Sequence, residues 1–152
     1  MSMFDAMRIS ATGLSAERTR MDVAAENLAN ANSTGGPNGA YRRKEVALRS
    51  GDGTSFAETL NSIGAGVPGS RSLHGTSRGV RVAAIEESQT PNRLVYDPGH
   101  PDANGEGFVE MPNVNPVLEM TDLISASRAY EANVTAMQTT KTMFGRVLDL
   151  LR

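Results

Sequence analysis

The feature that most limits what this chain can fold into is a seven-residue apolar repeat at each end. From about Ser2 to Ala31 there is no Pro and a single Gly, Gly13. Phe4, Met7, Ala11, Leu14, Arg18, Met21, Ala25 and Leu28 fall in alternating steps of three and four. That spacing puts them on one face of an α-helix. The last third repeats the pattern after Pro112 and Pro116: Met120, Leu123, Ser127, Tyr130, Val134, Met137, Lys141, Phe144, Leu148 and Leu151. At the usual helical rise the two helices would be roughly 45 and 50 Å long. A stripe of this kind needs a covering surface, and the intervening segment is long enough to bring the second helix back along the first. The expected architecture is therefore α+β: long N- and C-terminal helices forming an antiparallel coiled-coil pair, with a small irregular β-containing middle segment. In residue terms this is an N-terminal helix over 1–34, a middle β/loop segment over 35–115 and a C-terminal helix over 116–152, with the 34 and 116 ends closing into one core.

One contact between two helices leaves much of each uncovered. Ile9, Val23 and Ala24 lie off the first stripe, and Ile124, Val147 and Leu150 lie off the second. Alanines are frequent on both helices and permit close approach on several sides. Helices apolar on more than one side are buried deeply or buried against other chains. At 152 residues other chains are the better source of cover. The isolated monomer is accordingly expected to be only partly folded, since helix formation without packing stabilises little. Arg18 and Lys141 occupy positions of the stripes where a lone charge is costly, so both are expected to reach a polar partner or water.

The middle reads differently. Tyr41 to Leu48 and Gly79 to Ile85 carry short strand patterns. Ser50 to Arg78 is Gly/Ser-rich and is expected to be a flexible loop, with one helical turn or two at Phe56–Leu60. Asp97–Pro98–Gly99–His100–Pro101–Asp102 has little backbone freedom and reads as a fixed turn.

Several kinds of chemistry find no support. There is no Cys, so no disulfide and no thiolate metal site. The net charge is −2, with no broad basic field for nucleic acid; Arg42–Arg43–Lys44 is followed at once by Glu45 and reads as a solvated patch or local contact. No apolar run reaches the roughly 20 residues of a membrane span. The N-terminal residues include Asp5, Arg8, Glu17 and Arg18 where a cleaved signal would be apolar. Gly64–Gly69 fits GxGxxG, but Pro68 and a Gly/Ser loop replace the strand and helix of a dinucleotide site. Asp102–Gly107 resembles half a calcium loop, but Asn113 stands where a bidentate carboxylate is required, so an Asx-stabilised turn is the simpler reading. His100 near Asp97 and Asp102, and His74 alone, lack converging metal-ligand spacing. The sequons at Asn32 and Asn133 are not expected to be used. No catalytic, cofactor or metal residue is assigned.

Ala25–Glu26–Asn27–Leu28–Ala29–Asn30–Ala31–Asn32–Ser33–Thr34, followed by Tyr41–Arg42–Arg43–Lys44, resembles the N-terminal signature of the flagellar rod and hook protein family. Met120 to Asn133 resembles that family's C-terminal helix. Arg93–Leu94–Val95–Tyr96–Asp97–Pro98–Gly99–His100–Pro101 is similar to its proximal rod members, although Gln89–Thr90–Pro91–Asn92 departs from the Ser-Pro-Pro common before that run. The resemblance covers nearly everything except the loop at 50–78. It implies a structural subunit of the proximal rod in the basal body, polymerising helically through its terminal helices into a drive shaft and export-channel wall. It implies contacts with itself, other rod proteins, a rod-base adaptor and the membrane-ring protein. It also implies passage through the flagellar type III export gate to the periplasm without signal cleavage. The candidate subunit-packing residues are Phe4, Met7, Leu14, Met21, Asn27, Leu28, Asn30, Asn32, Met120, Leu123, Tyr130, Val134, Met137, Phe144, Leu148 and Leu151. The structural turn comprises Tyr96, Asp97, Pro98, Gly99, His100 and Pro101. A sister rod protein and a soluble coiled-coil adaptor are the alternatives, followed by an enzyme built on Asp97, His100 and Asp102.

Overall fold

A computed structural model describes residues 3–35, 39–51 and 79–150. Its elements are helix α1 (Met3–Ala29), strands β1 (Lys44–Ser50), β2 (Val80–Glu87), β3 (Arg93–Tyr96) and β4 (Phe108–Met111), and helix α2 (Pro116–Leu150). The strands form two antiparallel pairs, β1 with β2 and β3 with β4. The chain is therefore α+β. Of the expected loop Ser50–Arg78, Ser50 ends β1, and residues 52–78, with the helical turn expected at Phe56–Leu60 and the stretch Gly64–Gly69, lie outside the described residues, as does Leu151.

α2 begins and α1 ends where local chemistry requires. Asn115 caps α2: its Oδ1 accepts from Val117 N at 3.0 Å and its carbonyl accepts from Glu119 N at 3.1 Å. Pro116 follows at the first helical position, where its missing N–H costs nothing. At the end of α1 the Asn30 amide donates to the Glu26 carbonyl at 2.9 Å, and Ser33 N donates to the Asn30 carbonyl at 3.0 Å. The Glu26 carbonyl thus accepts both the backbone N–H and the side-chain amide of Asn30, which closes the last turn of the helix.

The helices run antiparallel. Phe4 meets Phe144 edge-on with ring centroids 5.8 Å apart, Gly13 faces Asn133, and Asn27 reaches Glu119. The facing surfaces, however, take in only part of the large apolar stripes: Met7, Leu14, Met21 and Leu28 of α1 are half-buried and none of them is fully enclosed. In α1 the buried residues are Ala16, Val23, Ala24 and Asn27, whereas Phe4, Ala11, Arg18 and Ala25 are exposed. In α2 Leu123, Tyr130 and Met137 turn partly inward as expected. The alternate rungs are Glu119, Ala126, Asn133 and Thr140, each one residue before Met120, Ser127, Val134 and Lys141. Arg18 and Lys141 therefore lie on exposed sides and are not core charges, a correction to the expected phase. The reason is size: small and hydrogen-bonded side chains allow the close approach, and a Cβ on Gly13 would stand only 3.1 Å from the Asn133 amide.

The strand boundaries also shift. β1 runs from Lys44 to Ser50 and β2 from Val80 to Glu87, so each lies a few residues beyond the Tyr41–Leu48 and Gly79–Ile85 patterns. A register shift between Ala47 and Leu48 inserts a bulge. Thr12 of α1 pins the start of β2: its hydroxyl donates to the Ile9 carbonyl at 2.7 Å and accepts from Val80 N at 3.1 Å. A side chain on Gly79 would collide with that hydroxyl, so the close crossing of strand and helix requires glycine there.

The β3–β4 hairpin was not foreseen as strands. The segment between them turns at 98–102 and is closed by Asp97 N to the Gly107 carbonyl (2.9 Å) and Asn104 N to the Phe108 carbonyl (2.8 Å). Asn104 Oδ1 accepts from Glu106 N at 3.0 Å and Phe108 N at 2.9 Å, an Asx-stabilised turn. Gly107 has φ of +82°, a conformation costly for other residues. Val109, 1% exposed, fixes the hairpin to the interior. Asp102 ties the turn to the end of α1 by accepting from the Thr34 hydroxyl at 2.9 Å.

Candidate functional site

Two features stand out: a buried polar clasp joining the two helices to β1, and a broad apolar surface left uncovered. The clasp centres on Asn27, 1% exposed, and Glu119, 2% exposed. The Asn27 amide donates to the Lys44 carbonyl at 2.9 Å and to Glu119 Oε2 at 3.1 Å. Its Oδ1 accepts from Lys44 N and from the Tyr41 hydroxyl, both at 2.9 Å. Arg43 Nε donates to Glu119 Oε1 at 2.6 Å, and the same guanidinium pairs with Glu45 and lies 4.0 Å from Asp122. One asparagine thus holds a strand backbone on one side and the start of α2 on the other. Among the described residues, no buried side-chain polar atom lacks a partner.

Electrostatics follow from this geometry. Burial pushes the Tyr41 hydroxyl up to about 12, assisted by the charges of Glu26, Glu119 and Glu87. Burial works against the charge on Arg43, but the hydrogen bond and charge of Glu119, with Glu45 and Asp122, overcome it and raise its pKa. The Tyr41 shift has a measurable consequence. Its folded-state pKa lies above the ordinary value of 10.0, so its contribution to stability is complete below about pH 10 and lost as pH rises to about 12. Tyr41→Phe should flatten the fall in stability over that window relative to the unmodified chain, as read by urea unfolding at stepped pH. Equal slopes for the two proteins would show that Tyr41 stays out of the titration.

The clasp is a fastening with its charges internally matched. The shallow groove beside it, about 260 Å³, is lined by Arg20, Val23, Arg43, Val46, Asp122 and neighbouring residues. At the hairpin, His100 Nδ1 accepts from Asp102 N at 3.1 Å, so that cluster serves the turn. Among the described residues, no group of three or more His, Asp or Glu is placed to hold a metal ion.

The apolar surface lies at both ends of α2. Val117 (70% exposed), Leu118 (59%), Met120 (51%) and Ile124 (53%) occupy its start. Met143, Phe144, Val147 and Leu148 occupy its far end, beside Phe4 at 63%. Between them the exposed side is polar: Thr135, Thr139 and Thr142 donate their hydroxyls to carbonyls one turn earlier, at 2.9 to 3.0 Å.

The candidate packing residues therefore divide. Phe4, Met120, Phe144 and Leu148 are exposed, and so is Asn32. Met7, Leu14, Met21, Leu28, Asn30, Leu123, Tyr130, Val134 and Met137 are half-buried. Asn27 is enclosed within its own chain. Tyr96, Asp97, Pro98, Gly99 and Pro101 of the turn are exposed and His100 is half-buried. Arg43 and Glu119 were missed as a pair, because 76 residues separate them and an acid in the first turn of a helix is ordinarily read as a partner of the helix dipole.

The family described as "Flagella basal body rod protein" matches residues 7–37, and "Flagellar basal body rod FlgEFG protein C-terminal" matches 106–150. These segments hold most of α1, all of α2, and Asn27, Glu119 and Asp122 of the clasp; Tyr41–Glu45 lie between them. Over the full length, the chain is 46% identical to the flagellar basal-body rod protein FlgC of Bacillus subtilis, with 99% of each chain covered. It is 41% identical to FlgC of Borreliella burgdorferi over 100% of this chain and 99% of the relative. This chain belongs to the FlgC family of flagellar basal-body rod proteins. FlgC of Salmonella typhimurium agrees, at 40% identity over 99% of this chain and 98% of the relative. The full-length agreement with FlgC decides against a sister rod protein. As a FlgC family member the chain is a structural subunit of the proximal rod of the flagellar basal body. The FlgC assignment sets aside the soluble adaptor, and the family is structural, not a known enzyme family.

Proposed function

We propose that this subunit polymerises helically through the outward apolar sides of α1 and α2, forming the drive shaft and export-channel wall between the membrane ring and the distal rod and hook. The observation that carries this reading is the exposure of large apolar side chains at both ends of α2, of which Val117 and Leu118 are the most open. Clustered exposed apolar side chains, as in each of these two patches, mark contacts with another chain. The neighbours are other copies, other rod proteins, a rod-base adaptor and the membrane-ring protein. The chain reaches the periplasm through the flagellar type III export gate. Among the described residues no helix is long and apolar enough to cross a membrane.

Ile124→Ser with Val147→Ser tests the reading, since both side chains are about half exposed in the single chain and their loss should leave its fold intact. The expected result is an increase on the order of 10-fold in the concentration needed for polymer growth, measured by sedimentation, with an unchanged far-ultraviolet helix signal. Unchanged growth would remove the helices from the interface. Association of the unmodified chain that stops at a small closed complex would point to a stoichiometric adaptor.

A further inference from the structure

The β3–β4 hairpin has apolar side chains on both of its faces. Val95 and Val109 face inward. On the other side Leu94 is 65% exposed, Tyr96 66% and Phe108 37%, and the two rings pack edge-on with centroids 5.3 Å apart. Tyr96 and Phe108 are partners in the strand register, so the outward face is one continuous patch and not scattered residues. A two-stranded ribbon is marginal by itself, and an exposed Tyr–Phe pair is the kind of aromatic cluster in which interfaces are enriched.

We propose that this outward hairpin face is a subunit-docking surface that receives the Phe4/Phe144/Leu148 end of a second copy, so that association is head to tail. The inference rests on the polymer reading above and names the surfaces that meet. Two observations select the occupant. First, the patches lie at opposite ends of the molecule. The hairpin turn is tied to the end of α1 through Thr34 and Asp102, and Phe144 lies roughly 38 Å further along α2 from Glu119 at the helical rise. Dissimilar patches at opposite ends associate heterologously, and repetition of that contact gives an open polymer, not a closed pair. Second, the charges are complementary. The hairpin segment 93–111 carries Arg93 against Asp97, Asp102, Glu106 and Glu110, whereas 141–149 carries Lys141 and Arg146 against Asp149. Opposite net charge favours this encounter over hairpin against hairpin.

The chain has no cysteine, so introduced thiols are unique handles. The double variant Leu94→Cys/Leu148→Cys, assembled and treated with a bismaleimide crosslinker, should give a ladder of covalent oligomers in a denaturing gel. Leu94→Cys alone should remain monomeric, and a 1:1 mixture of the two single variants should stop at dimers. Pelletable polymer without a ladder would overturn this contact while leaving polymerisation through the helices intact. Dimers formed by Leu94→Cys alone would replace it with a hairpin-to-hairpin contact. Failure of the unmodified chain to form polymer at any accessible concentration would remove the polymer reading and this inference together. As a second measurement, Leu94→Ser should raise the concentration needed for growth about 10-fold with the helix signal unchanged. An unaltered concentration would exclude the hairpin face from the interface.

Discussion

Glu119→Ala is expected to destabilise the folded chain by about 3 kcal/mol, because it removes the acceptor that both Arg43 and Asn27 share inside the clasp. The value sits at the low end for a broken buried pair because the Arg43 side chain is 27% exposed and keeps Glu45 and Asp122 as rim partners. Glu119→Gln retains the shape and an acceptor oxygen but no charge, and should cost roughly half as much. Removing Arg43 and Glu119 together, as Arg43→Met/Glu119→Met, should cost less than the sum of the single changes, since neither group is then left without its partner. Urea unfolding monitored by helix content checks all three. A loss below about 0.5 kcal/mol for Glu119→Ala, the range of an ordinary surface change, would mean that the clasp does not hold the helices together. The same variant should weaken assembly indirectly, because the start of α2 presents Val117, Leu118 and Ile124 only while the helix is fixed to α1.

The second large effect is expected in hydrogen exchange. In dilute monomer the amides of Met137–Leu148 should exchange faster than those of Glu119–Asn133 by on the order of 100-fold. Every residue from Lys141 to Asp149 is exposed, whereas the buried residues of the helix pair gather towards the clasp end, at Ala16, Val23, Ala24, Asn27, Glu119 and Ala126. A helix without packed neighbours is marginal in water, so the Phe4/Phe144 end should fray first. Assembly should then slow its exchange to the level of the clasp end. Uniform protection along α2 in the dilute monomer would mean that the helix pair is self-sufficient and that assembly orders nothing. This expectation is narrower than partial folding of the whole monomer, because the clasp and the hairpin attachment fix one end of the pair.

Much of this could be read from residue order alone. The two helices are visible because their periodicity is local and runs uninterrupted to strong stop signals, Asn30–Pro37 after the first and Pro116 before the second. The strand pair β1–β2 is visible because short alternating patterns survive at Val46 and Val80–Ala84. The family itself was visible in the segment Ala25–Thr34 and in the Tyr96–Pro101 turn. The hairpin was harder to see: its strands are only four residues each, too short for alternation to register, and the fixed turn between them drew the reading towards loop.

The facing surfaces of the helices could not be read in the same way. Periodicity finds large apolar residues, and in this chain they divide: Met7, Leu14, Met21, Leu28, Leu123, Tyr130 and Met137 are half-buried, whereas Phe4, Met120, Phe144 and Leu148 are exposed. The fully buried part of the contact is made by alanines, Val23 and the clasp, with Gly13 against Asn133, because small and mutually hydrogen-bonded side chains permit the closest backbone approach. Glu119 and Asn27 are polar and belong on a surface by composition; only when the chain folds back does each find the partner that makes burial favourable. Local order thus specified which segments are helical and that they carry more apolar surface than one chain covers. The return of α2 along α1 settled which side of each helix faces inward and which apolar groups remain open to a neighbour. That outcome depends on contacts between residues as far as 92 apart in sequence, and a short-range pattern carries no information about them.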